Sequence, residues 1–280
     1  MEFSGDLFQY DEEERLNAFE TEPKSDKVVI FIGGLGDGFN AVPFLSPLSK
    51  AVSALGWSLV QVQLSSSVDG FGTSNLQTDC KQLDTLVNYL KSKRQKKKFV
   101  FIGHSTGCQD SYWHNKYGKS STDISGYILQ APVSDRQYLQ SLEQYEYLLN
   151  LSIKMRKDGN GQEIMPRKAH WAPITGDRFY SLAARGGDDD VFSTDLTDEE
   201  IKKLYDGVDR PIVWVYGAKD EYYQASNGDE MENYERFKSI VPAIKEGHLV
   251  PNADHCITAK DAQQAFCKIV SDFLTTVDEQ

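Results

Sequence analysis

The chain has 280 residues, 30 Lys+Arg against 42 Asp+Glu for a formal charge of −12, and 40% hydrophobic residues. That length and composition fit one large α/β domain or two small ones and exclude bulk disorder. The negative balance repels phosphate backbones, which excludes nucleic-acid or anionic-membrane binding over a broad surface.

The N-terminal stretch MEFSGDLFQYDEEER has no basic region, no apolar region and no small-residue cleavage site, and no run of 18 apolar residues occurs anywhere. The terminal TTVDEQ carries no prenylation, retention or peroxisomal signal. The expectation is a soluble cytoplasmic protein. Cys80, Cys108, Cys256 and Cys267 form no CxxC pair, which argues against a zinc site and against a disulfide framework.

The first predicted element is a strand at 27–32 (KVVIFI), an apolar run ending at Gly33-Gly34. Such a run bounded by glycines reads as a strand buried on both faces of a parallel sheet. A second strand follows at 58–64 (SLVQVQL). Leu76, Cys80, Leu83, Leu86, Val87 and Leu90 then fall on one face of an amphipathic helix. The basic stretch KSKRQKKK at 91–98 reads as a solvated helix end, where lysines complement the dipole, in preference to a localisation signal. Further strands come at 98–102 (KFVFI), 124–130 (ISGYILQ) and 211–216 (PIVWVY), and a last helix follows Ile257. Alternating strands and helices mean crossover units and a mostly parallel sheet. The span from Asp135 to Arg210 is too long for one crossover helix and contains a helical stretch around 138–155. It is read as a cap, 136–209, inserted into a core domain of 1–135 and 210–280. No internal repeat suggests a solenoid.

Gly103-His104-Ser105-Thr106-Gly107 closes the strand at 98–102 and opens helix-compatible sequence, so GxSxG stands in its required strand, turn, helix context. Ser105 is the candidate nucleophile. It needs a base and the base needs an orienting carboxylate, in the chain order Ser, acid, His. Asp220 follows the strand at 211–216, and His255 stands on the loop before the last helix. The alternatives are His248, with His104, His114 and His170 less suited, and Asp135, Glu221 or Asp254 for the acid. An oxyanion hole would draw on the Thr106 amide and on Leu35 or Gly34 in the loop 33–38 (GGLGDG), where glycines allow close approach. That loop lacks the third glycine of a dinucleotide fingerprint and the lysine of a P-loop, since residue 39 is Phe, so neither cofactor is supported.

The stretches GGLGDGF (33–39), GWSLVQVQLSSSVDGFGTSNLQTD (56–79), FIGHSTGCQD (101–110), LQAPVSDR (129–136), GGDDDVFSTDL (186–196), YGAKDEYY (216–223) and NADHCIT (252–258) resemble a fungal family of α/β-hydrolase-like proteins. That family includes intracellular siderophore esterases of the fusarinine C type. The resemblance covers nearly the whole chain after about residue 25, and the extended GHSTGxQD is more specific than GxSxG. It implies an α/β-hydrolase fold and a cytosolic serine esterase that opens ester bonds of hydroxamate siderophores to release iron. It also carries triad roles onto Ser105, Asp220 and His255, and it calls for a small-molecule ester substrate with no metal or organic cofactor.

Two features bear on substrate. Asp188, Asp189 and Asp190 at the end of the cap concentrate charge that would attract an amine-bearing substrate, or else form a solvated loop or helix cap. Trp171, Phe179 and Tyr180 would line a substrate pocket, or else form the cap's own small core. The rival readings are a hydrolase of another acyl substrate (lipid ester, thioester or peptide) and a catalytically idle hydrolase scaffold used for binding. Oligomeric state and cap motion are left open.

Overall fold

The computed structural model describes residues 2–22, 24–223 and 229–279. Eight strands form one sheet: β1 (Gly5–Asp11), β2 (Leu16–Thr21), β3 (Lys27–Ile32), β4 (Ser58–Val62), β5 (Lys98–His104), β6 (Ile124–Gln130), β7 (Ile212–Gly217) and β8 (Ile244–Val250). Their order is β1-β2-β4-β3-β5-β6-β7-β8, antiparallel among β1, β2 and β4 and parallel from β4 to β8. The five predicted strands are β3 to β7, within a few residues at each end.

The sheet is buried on both faces because successive side chains alternate. Val29, Phe31, Val100, Ile102, Val213 and Val215 face one layer, built from α1 (Leu45–Ala54) and α9 (Lys260–Asp278). Val28, Ile30, Phe99, Phe101, Tyr127 and Trp214 face the other, built from α2 (Leu76–Arg94), α3 (Gly107–Tyr117) and later helices. Each large apolar side chain so buried contributes roughly 1.5–3 kcal/mol, before chain entropy is counted.

The β1/β2 hairpin was not predicted. Its inward-facing residues include Glu20, fully buried and held by Ser58 Oγ at 2.7 Å, by Arg94 Nε at 3.0 Å and by Lys96 Nζ. A strand whose core-facing side chain is a carboxylate does not show an apolar alternation. The same contacts refine the reading of the basic run: Lys91, Lys93 and Arg94 close the last turn of α2 as expected, but Lys96 is a buried partner of Glu20.

The insertion holds α4 (Asp135–Gln140), α5 (Tyr145–Lys157), α6 (Gly176–Ala183) and α7 (Asp198–Tyr205). Leu139, Tyr145, Leu148, Met165, Ile174, Phe179 and Leu182 form a small apolar cluster of their own. Val191, Phe192, Leu196, Ile201 and Tyr205 instead join the sheet's core beside α8 (Glu230–Ile240). The apolar packing thus divides the segment expected to be cap throughout: its second part, with α7, covers the sheet as a crossover helix does.

Candidate active site

β5 ends at His104, and the chain turns at Ser105, whose φ of +53° lies in the left-handed region that only a forced turn imposes on a serine. The flanking glycines allow the turn. A Cβ on Gly107 would stand 2.3 Å from the Ile32 carbonyl oxygen, and one on Gly103 would stand 2.2 Å from that of Gly107. The Ser105 amide donates to Gln130 O of β6 at 3.0 Å, which fixes the turn to the sheet.

Two later loops meet this serine. His255 Nε2 lies 2.9 Å from Ser105 Oγ, and His255 Nδ1 lies 2.9 Å from Asp220 Oδ2 and 3.0 Å from Oδ1. Asp220 stands three residues beyond the end of β7 and is buried; it also accepts the Tyr222 amide at 3.0 Å. His255 is held at both ends of its own backbone: its amide donates to Glu221 Oε2 at 3.1 Å, and its carbonyl accepts from Gln130 Nε2 at 3.1 Å. The Tyr222 ring stands edge-on to the imidazole, 4.5 Å between centroids. This geometry suits a serine whose proton passes to an oriented imidazole.

The other histidines are engaged elsewhere. His104 bonds to the Gln130 side chain, and burial, with His255 alongside, lowers its pKa to about 3, so it stays neutral. His114 is buried between the Tyr127 hydroxyl at 2.8 Å and Ser120 Oγ at 3.0 Å. His170 packs on Phe71 and Trp171, and His248 sits on β8 beside Glu246. Of the rival acids, Asp254 caps its own loop through Thr258. Asp135 accepts from Gln109 Nε2 at 2.6 Å; burial, with Asp189 nearby, pushes its carboxyl up to about 7.

The glycine loop after β3 comes to the nucleophile so closely that a Cβ on Gly34 would lie 2.7 Å from Ser105 Cβ. The Gly34 amide is already committed to Asp37 Oδ2 at 2.7 Å. That contact separates the two residues that the sequence left as alternatives, and leaves the Leu35 and Thr106 amides as the oxyanion donors to consider. A cavity of about 330 Å³ opens over Ser105 and His255, walled by Leu35, Val133, Leu139, Trp171, Leu182 and Tyr222 with the carboxyls of Asp135 and Glu221. Cys256 also reaches it, but burial pushes this thiol up to about 11, so it is no rival nucleophile near neutral pH.

A family described as "Protein of unknown function (DUF1749)" matches residues 1–277. The chain belongs to the DUF1749 family. Relatives of this DUF1749 chain include a UPF0613 protein of Schizosaccharomyces pombe, 28% identical over 98% of this chain and 96% of that protein. Fusarinine C esterase sidJ of Aspergillus fumigatus is 27% identical over 69% of each chain, and an esterase of Emericella nidulans is 28% identical over 69% of this chain and 67% of that one. Among solved structures, the siderophore hydrolase EstB from Aspergillus fumigatus superposes with a TM-score of 0.80 over 99% of this chain and 98% of that one at 24% identity. A monoglyceride lipase of Saccharomyces cerevisiae gives 0.69 at 13% identity over 99% of this chain and 96% of that one. The DUF1749 chain therefore has the α/β-hydrolase fold. No helix among its described residues is long and apolar enough to cross a membrane.

Of the cap residues singled out in the DUF1749 sequence, the structure brings only Trp171 to the Ser105 cavity, where its ring also covers Gly36. Phe179 is buried in the cap's apolar cluster, and Tyr180 lies under the Arg156 guanidinium, 3.7 Å from its ring centroid. The acidic loop differs from its expected role. Asp189 is buried against Arg178 and Ser181, Asp190 accepts from Arg136 Nε at 2.9 Å, and Asp188 accepts from Gln77 Nε2 at 2.9 Å outside the cavity. Arginines of the insertion compensate two of these charges and Gln77 of α2 holds the third, so the loop braces the insertion instead of facing a substrate. Asp37, Gln130 and Tyr222 were missed as supporting residues, and Glu221, weighed only as a rival acid, instead holds the His255 amide; these are contacts that spacing along the chain does not reveal.

Proposed function

We propose that this protein is a serine hydrolase of carboxylic esters, with Ser105 as nucleophile, His255 as base and Asp220 as its orienting acid. The coarse part, a carboxylic ester hydrolase, also stands on the esterase names of two relatives and on the hydrolase fold. The observation that carries the residue roles is the unbroken path from Ser105 Oγ through the imidazole to Asp220, with both hydrogen bonds near 2.9 Å, at the floor of an open cavity.

In this reading Ser105 Oγ attacks the ester carbonyl while His255 Nε2 takes its proton. The tetrahedral oxyanion accepts from the Leu35 and Thr106 amides. The C–O bond to the alcohol breaks as His255 returns the proton to the leaving oxygen, and a water repeats the sequence to free the acid and Ser105. Asp220 keeps the imidazole in the tautomer that presents Nε2 to the serine.

The substrate we propose is an ester of a hydroxamate siderophore, as the names of the fusarinine C esterase and the siderophore hydrolase suggest for those proteins. Trp171, Leu139 and Leu182 supply apolar walls, and Asp135 and Glu221 supply polar groups for such a ligand. The cytoplasm is the compartment we propose, in keeping with four free cysteines.

A fluorophosphonate probe tests the class. Labelling of the wild type that Ser105→Ala abolishes, with a loss of about 10⁴-fold or more in kcat, is the expected result. Well-folded protein that takes no label would return the reading to an idle binding scaffold. Comparing kcat/KM over linear and cyclic hydroxamate esters, glycerides and thioesters then tests the substrate; activity confined to the latter two classes would remove the siderophore assignment.

A further inference from the structure

The motif GHSTGxQD ends at Asp110, a residue the mechanism above does not use. Asp110 lies in the first turn of α3, and its buried carboxyl meets that of Asp79 from the first turn of α2. Arg178 of α6 and Asp189 of the following loop face the same pair from the insertion, and Asp135 of α4 faces Arg178. Arg178 donates from Nε to Phe71 O at 3.1 Å and from its terminal nitrogens to both oxygens of Asp189. Asp79 accepts from Ser74 Oγ at 3.2 Å and stands beside Ser66.

One guanidinium thus faces several carboxyls in the protein interior, and it is already paired with Asp189. Two touching, buried carboxylates cannot both remain ionised. Burial raises both, Asp79 to about 6 and Asp110, with Asp79 against it, well above the ordinary carboxylate range. Asp110 Oδ1 and Thr106 Oγ1 are buried without a hydrogen-bond partner among the described residues. Thr106, Asp110, Asp79 and Arg178 share the wall of a cavity of about 20 Å³ with Gly34 and Leu35, directly behind the proposed oxyanion donors. That volume suits a single water with several polar partners. The cap meets this loop from the other side, where Leu35 packs on the cap's apolar cluster and Trp171 covers Gly36.

We infer that Asp110 and Asp79 share one proton, and that Asp110, kept neutral, is a positioning residue that fixes the Thr106 turn and, through Arg178, the cap against the Leu35 loop. The inference rests on the hydrolase reading. A neutral Asp110 donates to Asp79 and keeps an oxygen free for the small cavity. Loss of the shared proton places two negative charges in contact and loosens the turn.

Three measurements on the full chain test it. Asp110→Asn, which mimics the neutral acid, is expected to keep kcat within about threefold, whereas Asp110→Ala lowers kcat by about 10²-fold with KM within about threefold, as displaced oxyanion donors would. The wild-type kcat is expected to fall at alkaline pH as the shared proton leaves, and Asp110→Asn to lack that fall. Infrared spectra at neutral pH are expected to show a protonated-carboxyl band that Asp110→Asn removes. Absence of that band difference overturns the shared proton even if Asp110→Ala fails to fold. An Asn variant as impaired as the Ala variant, or an Ala variant with unchanged kcat, overturns the positioning role. Failure of the hydrolase reading is seen separately, as wild-type protein that keeps the infrared band but takes no fluorophosphonate label.

Discussion

The floor and the roof of the Ser105 cavity are built on opposite plans. The floor consists of Ser105, Asp220 and His255, each on a short loop after a strand of the parallel sheet: the Ser105 amide bonds to Gln130 O of β6, the Asp220 amide to Gly217 O at the end of β7, and the His255 carbonyl accepts from the Gln130 side chain. The roof consists of cap helices with a small apolar cluster of their own, braced within the insertion by the buried ion pairs Arg178–Asp189 and Arg136–Asp190 and tied to the body where Arg178 Nε donates to Phe71 O and Gln77 Nε2 donates to Asp188. A sheet positions side chains by register, so spacing along the chain is informative there. A cap positions them by packing, so which aromatic faces the cavity is decided by which one the cluster does not consume.

The sharpest way to break this comparison is at the floor. Asp220→Asn is expected to leave the fold intact and lower kcat by about 10⁴-fold, because the amide favours the wrong imidazole tautomer; a loss below about tenfold would move the acid's role to Asp135. At the roof, Phe179→Ala is expected to cost about 3–5 kcal/mol of stability by emptying the cap cluster. Trp171→Ala is expected to leave the unfolding midpoint nearly unmoved and raise KM several-fold, about 1 kcal/mol of lost contact. Denaturant unfolding and steady-state kinetics on both variants check the contrast, and equal stability losses would show that Trp171 also belongs to the cluster.

The smallest effect sits where floor and roof meet. Asp135 has a carboxyl raised from 3.8 to about 7 by burial. The unfolded chain therefore releases this proton first, and its contribution to stability is present at acid pH and is lost as the pH rises through about 7. Asp135→Asn, which cannot ionise, is expected to flatten that part of the stability profile between about pH 4 and 7, the interval between the unfolded and folded values. Thermal midpoints measured across the range check this; an unchanged slope would mean that Asp135 is ionised throughout.

Much of the floor was legible beforehand. The run KVVIFI with its glycines, GHSTG behind KFVFI and Asp220 behind PIVWVY are local patterns, and local patterns survive translation into a parallel sheet. What escaped was governed by partners distant in the chain. The hairpin β1/β2 turns a glutamate inward because Arg94 and Lys96 are waiting for it. The triplet Asp188-Asp189-Asp190 looked like exposed charge because Arg136 and Arg178 lie elsewhere in the chain.

By itself, the sequence determined the alternation of buried strands and amphipathic helices, the strained serine turn and the order of the three residues proposed for catalysis. These follow from apolar periodicity and from the steric demands of glycine, both of which act over a few residues. Only the tertiary structure decided which acidic residues are buried against arginines, which of Gly34 and Leu35 has its amide taken by Asp37, and which cap aromatic reaches the cavity. Burial and charge compensation are properties of neighbours in space, and neighbours in space are set by the sheet.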